Sequence, residues 1–185
     1  MVLPIIAYGD PILKKVAEEI DGDYPGLDQL ITDMFETMYD SNGVGLAAPQ
    51  VNKSIRLFII DATPYAEDDK DLDGFKKIFI NPIILDEEGK EWDFNEGCLS
   101  IPGIREDVKR KARLTIEYQD ENFEMKEETY QGMAARIIQH EYDHIEGVLF
   151  TDRINPLRRR LLNGKLKNIA RGKVEVEYKM KFPLK

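Results

Sequence analysis

The chain has 185 residues, which is enough for one well-packed domain and short for two. Hydrophobic residues make up 42% and charged residues 33%, a balance that excludes a disordered or fibrous protein. The net charge of -9 argues against binding to DNA or to an anionic membrane over a broad face.

The chain contains one cysteine, Cys98, and therefore no internal disulfide. No stretch reaches the roughly 20 apolar residues needed to cross a bilayer, and no basic residues precede the apolar N-terminus. The sequence therefore predicts a cytoplasmic protein without membrane contact. Because no repeat or linker divides the chain, we expect a single domain over residues 1–185.

The first half of the chain is predicted to form one helix and one strand. Apolar residues recur at intervals of three and four over residues 25–41, which predicts an amphipathic helix that Asn42 and Gly43 end. After a small, apolar stretch, residues 55–61 are predicted to form a buried strand. Residues 62–74 are rich in acidic side chains, and we expect a mobile, solvated loop without chemistry.

The second half alternates in hydrophobicity over several short stretches, a pattern typical of strands. Strands are predicted over residues 77–81, 113–119, 123–129 and 174–182. Pro82 is predicted to end the first of them, and Glu88-Gly89 to form a turn. A basic segment that begins at Asn155 is predicted to be helical, so that residues 156–185 form a helix and then a strand.

The second long helix is predicted over residues 132–146, with Gly147 as its end. It carries the only two histidines, His140 and His144, and Glu141 directly follows the first. Four-residue spacing on a helix puts both imidazoles on one face, where two ring nitrogens can bind the same metal ion. The simpler alternative is two core histidines that are hydrogen-bonded to their neighbours.

The order of these elements, a helix, several strands, a second helix and a tail, predicts an α+β fold. We expect mainly antiparallel β-sheets packed around a central helix, which is the helix with the H-E-x-x-H motif. The stripe that carries both histidines would then face the core.

A third metal ligand has to come from another part of the chain, because catalytic sites of this kind use three protein ligands and keep one position for water. Cys98 is the best candidate, since it lies in a loop after a short predicted strand. A lone cysteine is more often a small buried hydrophobe. Here, however, the chain has only one cysteine and only two histidines, and this combination favours Cys98 as the third ligand.

Three separated motifs resemble the signatures of the peptide deformylase family in order and spacing. They are Gly43-Val44-Gly45-Leu46-Ala47-Ala48-Pro49-Gln50, Glu96-Gly97-Cys98-Leu99-Ser100 and Gln139-His140-Glu141-Tyr142-Asp143-His144. The resemblance, which covers about residues 5–155, implies a hydrolase that removes the N-formyl group from the formyl-methionine of newly made polypeptides and releases formate. It also implies one divalent ion, Fe2+ in the cell with Zn2+, Ni2+ or Co2+ as substitutes, bound by Cys98, His140 and His144.

The resemblance assigns catalytic roles to three further residues. A bound metal ion lowers the pKa of its water toward neutrality. Glu141 would accept a proton from this water and later donate it to the leaving amine. The backbone N–H of Leu99 and the side-chain amide of Gln50 would stabilise the oxyanion, each by about a few kcal/mol.

The same resemblance outlines the substrate site. Gly45 offers backbone groups for strand-like pairing, and its missing side chain lets a peptide approach. The candidates for the methionine pocket, for which ordinary core packing is the alternative, are Val44, Phe94, Met133 and Ile137. Glu96 and Arg105 are expected to pair and so to fix the cysteine loop, unless they form only a surface ion pair.

Three features depart from the family pattern. Residues 62–74 are longer than in compact members, and Arg136 stands where many members have an apolar residue, so that it would close or charge the mouth of the methionine pocket. The chain ends in a predicted strand, which leaves open whether the basic residues 158–173 contact the ribosome. The expected partners are formyl-methionyl nascent peptides.

Two other functions share part of the pattern. A zinc metallopeptidase also uses H-E-x-x-H on a helix, but it takes its third ligand downstream, and no histidine follows His144. The other alternative is a non-catalytic binding module stapled by a metal ion. Such structural sites are more often closed by a fourth protein ligand, and Gln50, Leu99 and Glu141 favour an enzyme.

Overall fold

The computed structural model describes all 185 residues and contains three α-helices and seven β-strands. The helices are α1 (Leu27–Asp40), α2 (Gly132–Ile145) and α3 (Pro156–Ala170). The strands are β1 (Ile5–Ile6), β2 (Gly45–Ala47), β3 (Leu57–Asp61), β4 (Lys76–Cys98), β5 (Ile101–Gln119), β6 (Met125–Gln131) and β7 (Met180–Lys181). The fold is α+β, as predicted, and none of its helices is both long and apolar enough to cross a membrane.

Five strands form one antiparallel sheet in the order β2-β3-β4-β5-β6. β4 and β5 form a long hairpin, whose register runs from Ile80 opposite Gln119 to Cys98 opposite Ile101. β2 is an edge strand, so one side of its backbone is free to pair with another chain. The remaining strands, β1 and β7, pair in parallel as a separate two-stranded sheet.

Helix α2 packs against β2, β3, β5 and β6, and most of its residues are buried. Its apolar residues Ala135, Ile137 and Ile138 belong to a hydrophobic cluster that they share with the sheet. Past the end of the helix, Gly147 takes a left-handed φ of 74°, which glycine adopts without strain. The predicted helix and its end therefore agree with the structure, and α2 is held against the sheet along its length.

The strand that was predicted to end at Pro82 continues. β4 runs on to Cys98, and no chain reversal forms at Glu88-Gly89. The register with β5 shifts between Ile80 and Ile83, so that Pro82 falls in a bulge where the ladder requires no hydrogen bond from it. The proline causes only a local irregularity, and the hairpin is long enough for Cys98, at the end of β4, to reach α2.

The strand that was predicted over residues 174–182 shrinks to the two residues of β7. The alternation of exposed and half-buried residues continues through this tail, but its partner β1 is itself only two residues long. The alternating pattern alone therefore predicted a strand that is too long. The predicted helix before it is α3, which Asn155 caps by accepting a hydrogen bond from the N–H of Leu157.

The acidic segment 62–74 has local structure within it. Two short 3₁₀ helices, Thr63–Tyr65 and Lys70–Leu72, form there, and Leu72 is completely buried. The segment is thus anchored to the core at one point, although most of its acidic side chains are exposed.

Candidate metal centre and substrate cleft

Three side chains that are far apart in the sequence meet in one cluster. Cys98 ends β4, whereas His140 and His144 lie on α2. The atoms that each could offer to a metal ion all lie within 4.8 Å of one another, and the Sγ of Cys98 is 3.4 Å from the Nε2 of His144. One thiolate and two imidazoles are a donor set typical of metal sites that keep a further position open. These residues fit a divalent transition-metal ion.

The ring of His140 is oriented by Glu96. The Oε1 of Glu96 lies 2.9 Å from the Nδ1 of His140, which leaves Nε2 as the nitrogen for a metal bond. The centroids of the two histidine rings are 5.2 Å apart, with an angle of 71° between their planes. The rings therefore meet edge to face, and a stacked arrangement does not block their nitrogens.

The two histidines differ in their pKa values. Burial lowers the pKa of His140, but hydrogen bonds with Cys98 and Glu96 outweigh burial and raise this pKa to about 10. Burial, together with the charge of His140, lowers the pKa of His144 well below its ordinary value. Because a metal ion binds neutral imidazole, binding of an ion favours the uncharged form of both rings.

Glu141 lies beside this cluster in a closed environment. Its side chain is buried, and its Oε2 forms no hydrogen bond. Burial raises the pKa of Glu141 to about 7, an effect that the nearby charge of His140 only partly offsets. A carboxyl group that titrates near neutrality can both accept and donate a proton, which general acid–base catalysis requires.

A buried network of arginines and carboxylates supports the centre. Arg110 donates hydrogen bonds to Glu96 at 2.8 and 3.0 Å and to Asp143 at 2.9 Å. Arg136 donates to the same Glu96 at 2.7 Å, and Arg153 donates to both carboxylate oxygens of Asp143, at 2.6 and 2.7 Å. Burial raises the pKa of Glu96, but its bonds to the histidine and to Arg110 outweigh burial and hold this pKa far below its ordinary value. Glu96 therefore stays anionic.

The predicted pair of Glu96 and Arg105 is wrong. In the β4–β5 hairpin Arg105 stands opposite Gly97, and neighbouring residues of a strand point to opposite faces, so Arg105 and Glu96 diverge. Arg105 donates instead to the side chain and the backbone carbonyl of Asn95, at 2.9 and 2.5 Å. Arg136, predicted at the mouth of the methionine pocket, does line the cavity beside the cluster, but it is 2% exposed and donates to Glu96 in the buried network.

A cavity of about 930 Å³ opens beside the cluster. It is lined by every residue that was predicted for substrate binding, namely Val44, Gly45, Phe94, Met133 and Ile137. Cys98, His140 and Glu141 lie in the same wall. The size of the cavity is that of a site for a small ligand or a short peptide, and the predicted chemical and binding residues therefore share one space.

Gln50 and Leu99 present hydrogen-bond donors near the cysteine. The Oε1 of Gln50 accepts from the backbone N–H of Ala47 at 3.0 Å, which turns its amide nitrogen toward the Sγ of Cys98, 3.6 Å away, and toward the Oγ of Ser100 at 3.1 Å. Leu99 lies in the turn between β4 and β5, where its backbone N–H donates to no other group of the chain. The N–H of Leu99 is free to serve a ligand in the cleft, whereas the amide nitrogen of Gln50 lies beside it and already donates to Ser100 and Cys98.

Four residues around the centre were missed in the sequence. Arg110 follows Val108 on the inward face of β5, so the alternation of that strand was a usable signal for its burial. Asp143 lies within the histidine motif, but nothing local reveals its arginine partners. Tyr65 and Tyr178 line the cavity from the acidic segment and from the C-terminal tail, and only the tertiary fold brings them there.

The cluster, the buried carboxyl group and the adjoining cleft together define a metal-dependent hydrolase. The sequence profile of the polypeptide deformylase family matches residues 2–160. The chain belongs to this family.

Known relatives agree with this assignment over nearly the whole chain. The chain is 59% identical to the peptide deformylase of Christiangramia forsetii over 190 residues, 99% of this chain and 97% of that protein. It is 59% identical to the peptide deformylase of Flavobacterium johnsoniae, over 98% and 96% of the two chains. A crystal structure of a peptide deformylase from Legionella pneumophila superimposes with a TM-score of 0.80 at 38% identity, covering 94% of this chain and 98% of that one.

The family membership confirms the function that the motifs predicted. The chain is a hydrolase of protein biosynthesis that removes the N-formyl group from nascent polypeptides. The two alternatives, a zinc metallopeptidase and a non-catalytic binding module, are thereby set aside.

Proposed function

We propose that Cys98, His140 and His144 bind one divalent metal ion and that Glu141 carries the proton during hydrolysis of the formyl amide. The convergence of the three ligand atoms within 4.8 Å carries this proposal. For the ion in the cell we propose Fe2+, with Zn2+, Ni2+ or Co2+ as substitutes that the same thiolate and imidazole donors accept. When bound, such an ion supplies Lewis acidity and lowers the pKa of water.

The role of Glu141 follows from its surroundings. Its unpartnered Oε2 and its pKa of about 7 let it take a proton from the attacking water at neutral pH. Once protonated, the same carboxyl group can pass the proton to the leaving nitrogen, so that the peptide departs with a neutral amino group and the formyl group as formic acid, which loses its proton to water and becomes formate. Burial of Glu141 also keeps bulk water from competing for this proton.

Gln50 and Leu99 are proposed to stabilise the charge that develops on the formyl oxygen. The amide nitrogen of Gln50 is turned toward Cys98, and the N–H of Leu99 is without a partner in the chain. Two such donors, preorganised beside the reacting carbon, contribute about 3 kcal/mol each to transition-state stabilisation in comparable sites.

The peptide is proposed to bind as an added strand along the free edge of β2. Gly45 begins this edge strand, and its backbone can exchange hydrogen bonds with the first residues of the substrate. The methionine side chain would then enter the cavity between Val44, Phe94, Met133 and Ile137. Two of these residues come from α2, the helix that carries the H-E-x-x-H motif and that we propose as the centre around which the sheets pack.

We further propose that residues 1–185 act as one catalytic domain in the cytoplasm, on formyl-methionyl peptides as they are made. Three basic side chains, Arg160, Lys165 and Lys167, make no ion pair on α3, so a contact with the ribosome has a surface available to it. No contact with DNA or membrane is expected for a chain of net charge -9.

The test combines metal analysis with formate release. Protein purified without oxygen should contain one divalent ion per chain, mainly iron, and should release formate from a formyl-methionyl tripeptide. Cys98→Ala should lose both metal and activity. Glu141→Gln should keep the metal and lose turnover by about 10²- to 10⁴-fold. Full metal content in Cys98→Ala, or unchanged turnover in Glu141→Gln, contradicts the proposal.

A further inference from the structure

The C-terminal tail returns to the cleft. After α3 the chain passes along the cavity, where Glu175, Val176, Glu177 and Tyr178 form part of the wall. These residues lie beyond the family match, which ends at residue 160. The tail therefore adds a wall that the three sequence motifs do not contain.

The position of this wall is fixed by the small sheet of β1 and β7. The N–H of Ile5 donates to the carbonyl of Lys179, and the N–H of Ala7 donates to the carbonyl of Lys181, both at 2.9 Å. Met180 and Phe182 pack against the buried cluster that β1 and α3 share. Tyr178 directly precedes these anchors, so its backbone is held near the cysteine loop.

The hydroxyl group of Tyr178 donates a hydrogen bond of 2.7 Å to the backbone carbonyl of Leu99. The neighbouring residue Ser100 is held separately, since its carbonyl accepts from the N–H of Tyr8 at 2.9 Å and its Oγ accepts from Gln50 at 3.1 Å. Tyr178 is therefore the group that fixes the carbonyl side of Leu99, and Cys98 is the residue on its other side.

We propose that Tyr178 is a positioning residue, which holds Leu99 so that its backbone N–H points at the oxygen of the formyl group. This inference rests on the proposed role of Leu99. The Tyr178 bond holds the peptide that follows the Cα of Leu99, and the side chain of Cys98 lies next to the peptide before it, which carries the N–H. With the carbonyl side of Leu99 held, the backbone at its Cα has less freedom to turn the N–H away. An oxyanion donor depends on such preorganisation, because a misplacement of about 1 Å can cost two orders of magnitude in rate.

The chemistry of the tyrosine suits this task. Its ring is half-buried in the cleft wall. Burial raises the pKa of Tyr178 above its ordinary value, so the hydroxyl group keeps its proton and remains a donor at neutral pH. A phenylalanine would fill the same wall without making the bond.

The test separates the hydroxyl group from the wall. Tyr178→Phe should lower kcat about 10-fold, with KM and metal content unchanged, because the lost interaction acts only in the transition state. Tyr178→Ala should also raise KM, since it opens the wall. The matched control is Tyr118→Phe, which removes a buried tyrosine bond to Glu128 away from the cleft and should leave both kinetic constants unchanged.

Three results would overturn this role: an unchanged kcat in Tyr178→Phe, a change confined to KM, or a loss of metal that equals the loss of activity. The proposed function fails on a different result, namely full turnover in Glu141→Gln. If Glu141→Gln is inactive while Tyr178→Phe is fully active, only the role of Tyr178 is refuted.

Discussion

Gly45 lies so close to Glu141 that a methyl group on it would stand 2.6 Å from the Oε1 and 2.9 Å from the Cγ and Cδ of the glutamate. Such distances are well inside van der Waals contact, so one of the two residues would have to move. The backbone of Gly45 does not itself require glycine, because its φ is not positive. The glycine is needed at this position for the space that the carboxyl group occupies.

We therefore expect Gly45→Ala to displace Glu141 and to lower kcat by about 10²-fold, since a misplaced base loses its alignment with the attacking water. Formate release measured over a range of peptide concentrations tests this expectation. Gly164→Ala is the matched control: it lies within α3 with no atom near a new methyl group, and it should leave activity unchanged and raise stability by about 1 kcal/mol. Equal kcat values for Gly45→Ala and the parent would contradict the role of this contact.

The buried carboxyl group of Glu141 is predicted to destabilise the metal-free protein at high pH. Its pKa is raised from 4.5 to about 7 in the folded chain, so below pH 4.5 both the folded and the unfolded states are protonated and the group costs nothing. Between pH 4.5 and 7 the unfolded state ionises while the folded state keeps its proton, so the cost grows across this window and is complete above pH 7, where at 1.36 kcal/mol per pKa unit it is about 3 kcal/mol. Glutamine at this position avoids that cost.

We expect metal-stripped Glu141→Gln to be more stable than the metal-stripped parent by about 2 to 3 kcal/mol at pH 8, with no gain at pH 4. Urea unfolding at both pH values measures the difference. A gain of the same size at pH 4 and pH 8 would trace the effect to packing and not to the ionised carboxylate.

The buried ion pairs around Arg110 are predicted to matter far more than the exposed ones. Removing this side chain in Arg110→Ala leaves Glu96 and Asp143 buried with fewer partners, and we expect a loss of about 3 to 5 kcal/mol in the free energy of unfolding. Arg113 lies on β5 like Arg110, but its ion pair with Glu88 of β4 is exposed, so Arg113→Ala should cost less than about 1 kcal/mol. Similar losses for both variants in urea unfolding would contradict this distinction.

The parts of the structure that the sequence predicted are those with a local cause. Helix α2 follows from a three- and four-residue periodicity, and the same periodicity puts His140 and His144 on one face. The third ligand, Cys98, was inferred from its scarcity and from the family motifs, because no local rule connects β4 with α2. The alternation in the tail was a local signal too, but strand length depends on the partner, and β1 offers only two residues.

The parts that could not be predicted depend on which distant residue a side chain meets. Arg105 and Arg110 are equally plausible partners for Glu96 in the sequence, and only the register of the β4–β5 hairpin decides between them. The register in turn depends on β-bulges, whose positions cannot be predicted from any single residue. The contact of Tyr178 with Leu99 spans 79 positions and follows from the docking of β7 on β1, which the alternating pattern of the tail cannot reveal.

Gly147, just past the end of α2, lies against other backbone atoms, and a comparison with Gly74 separates the effect of this packing from that of a positive φ. Gly147 and Gly74 both have positive φ values, of 74° and 67°. A methyl group on Gly74 would meet nothing within 4 Å, so Gly74→Ala should cost only the conformational strain, about 1 kcal/mol. A methyl group on Gly147 would lie 2.6 Å from the backbone carbonyl oxygen of Lys14, which cannot swing away as a side chain would. We expect Gly147→Ala to lose about 3 kcal/mol or more in urea unfolding, and losses of equal size in the two variants would contradict the packing argument.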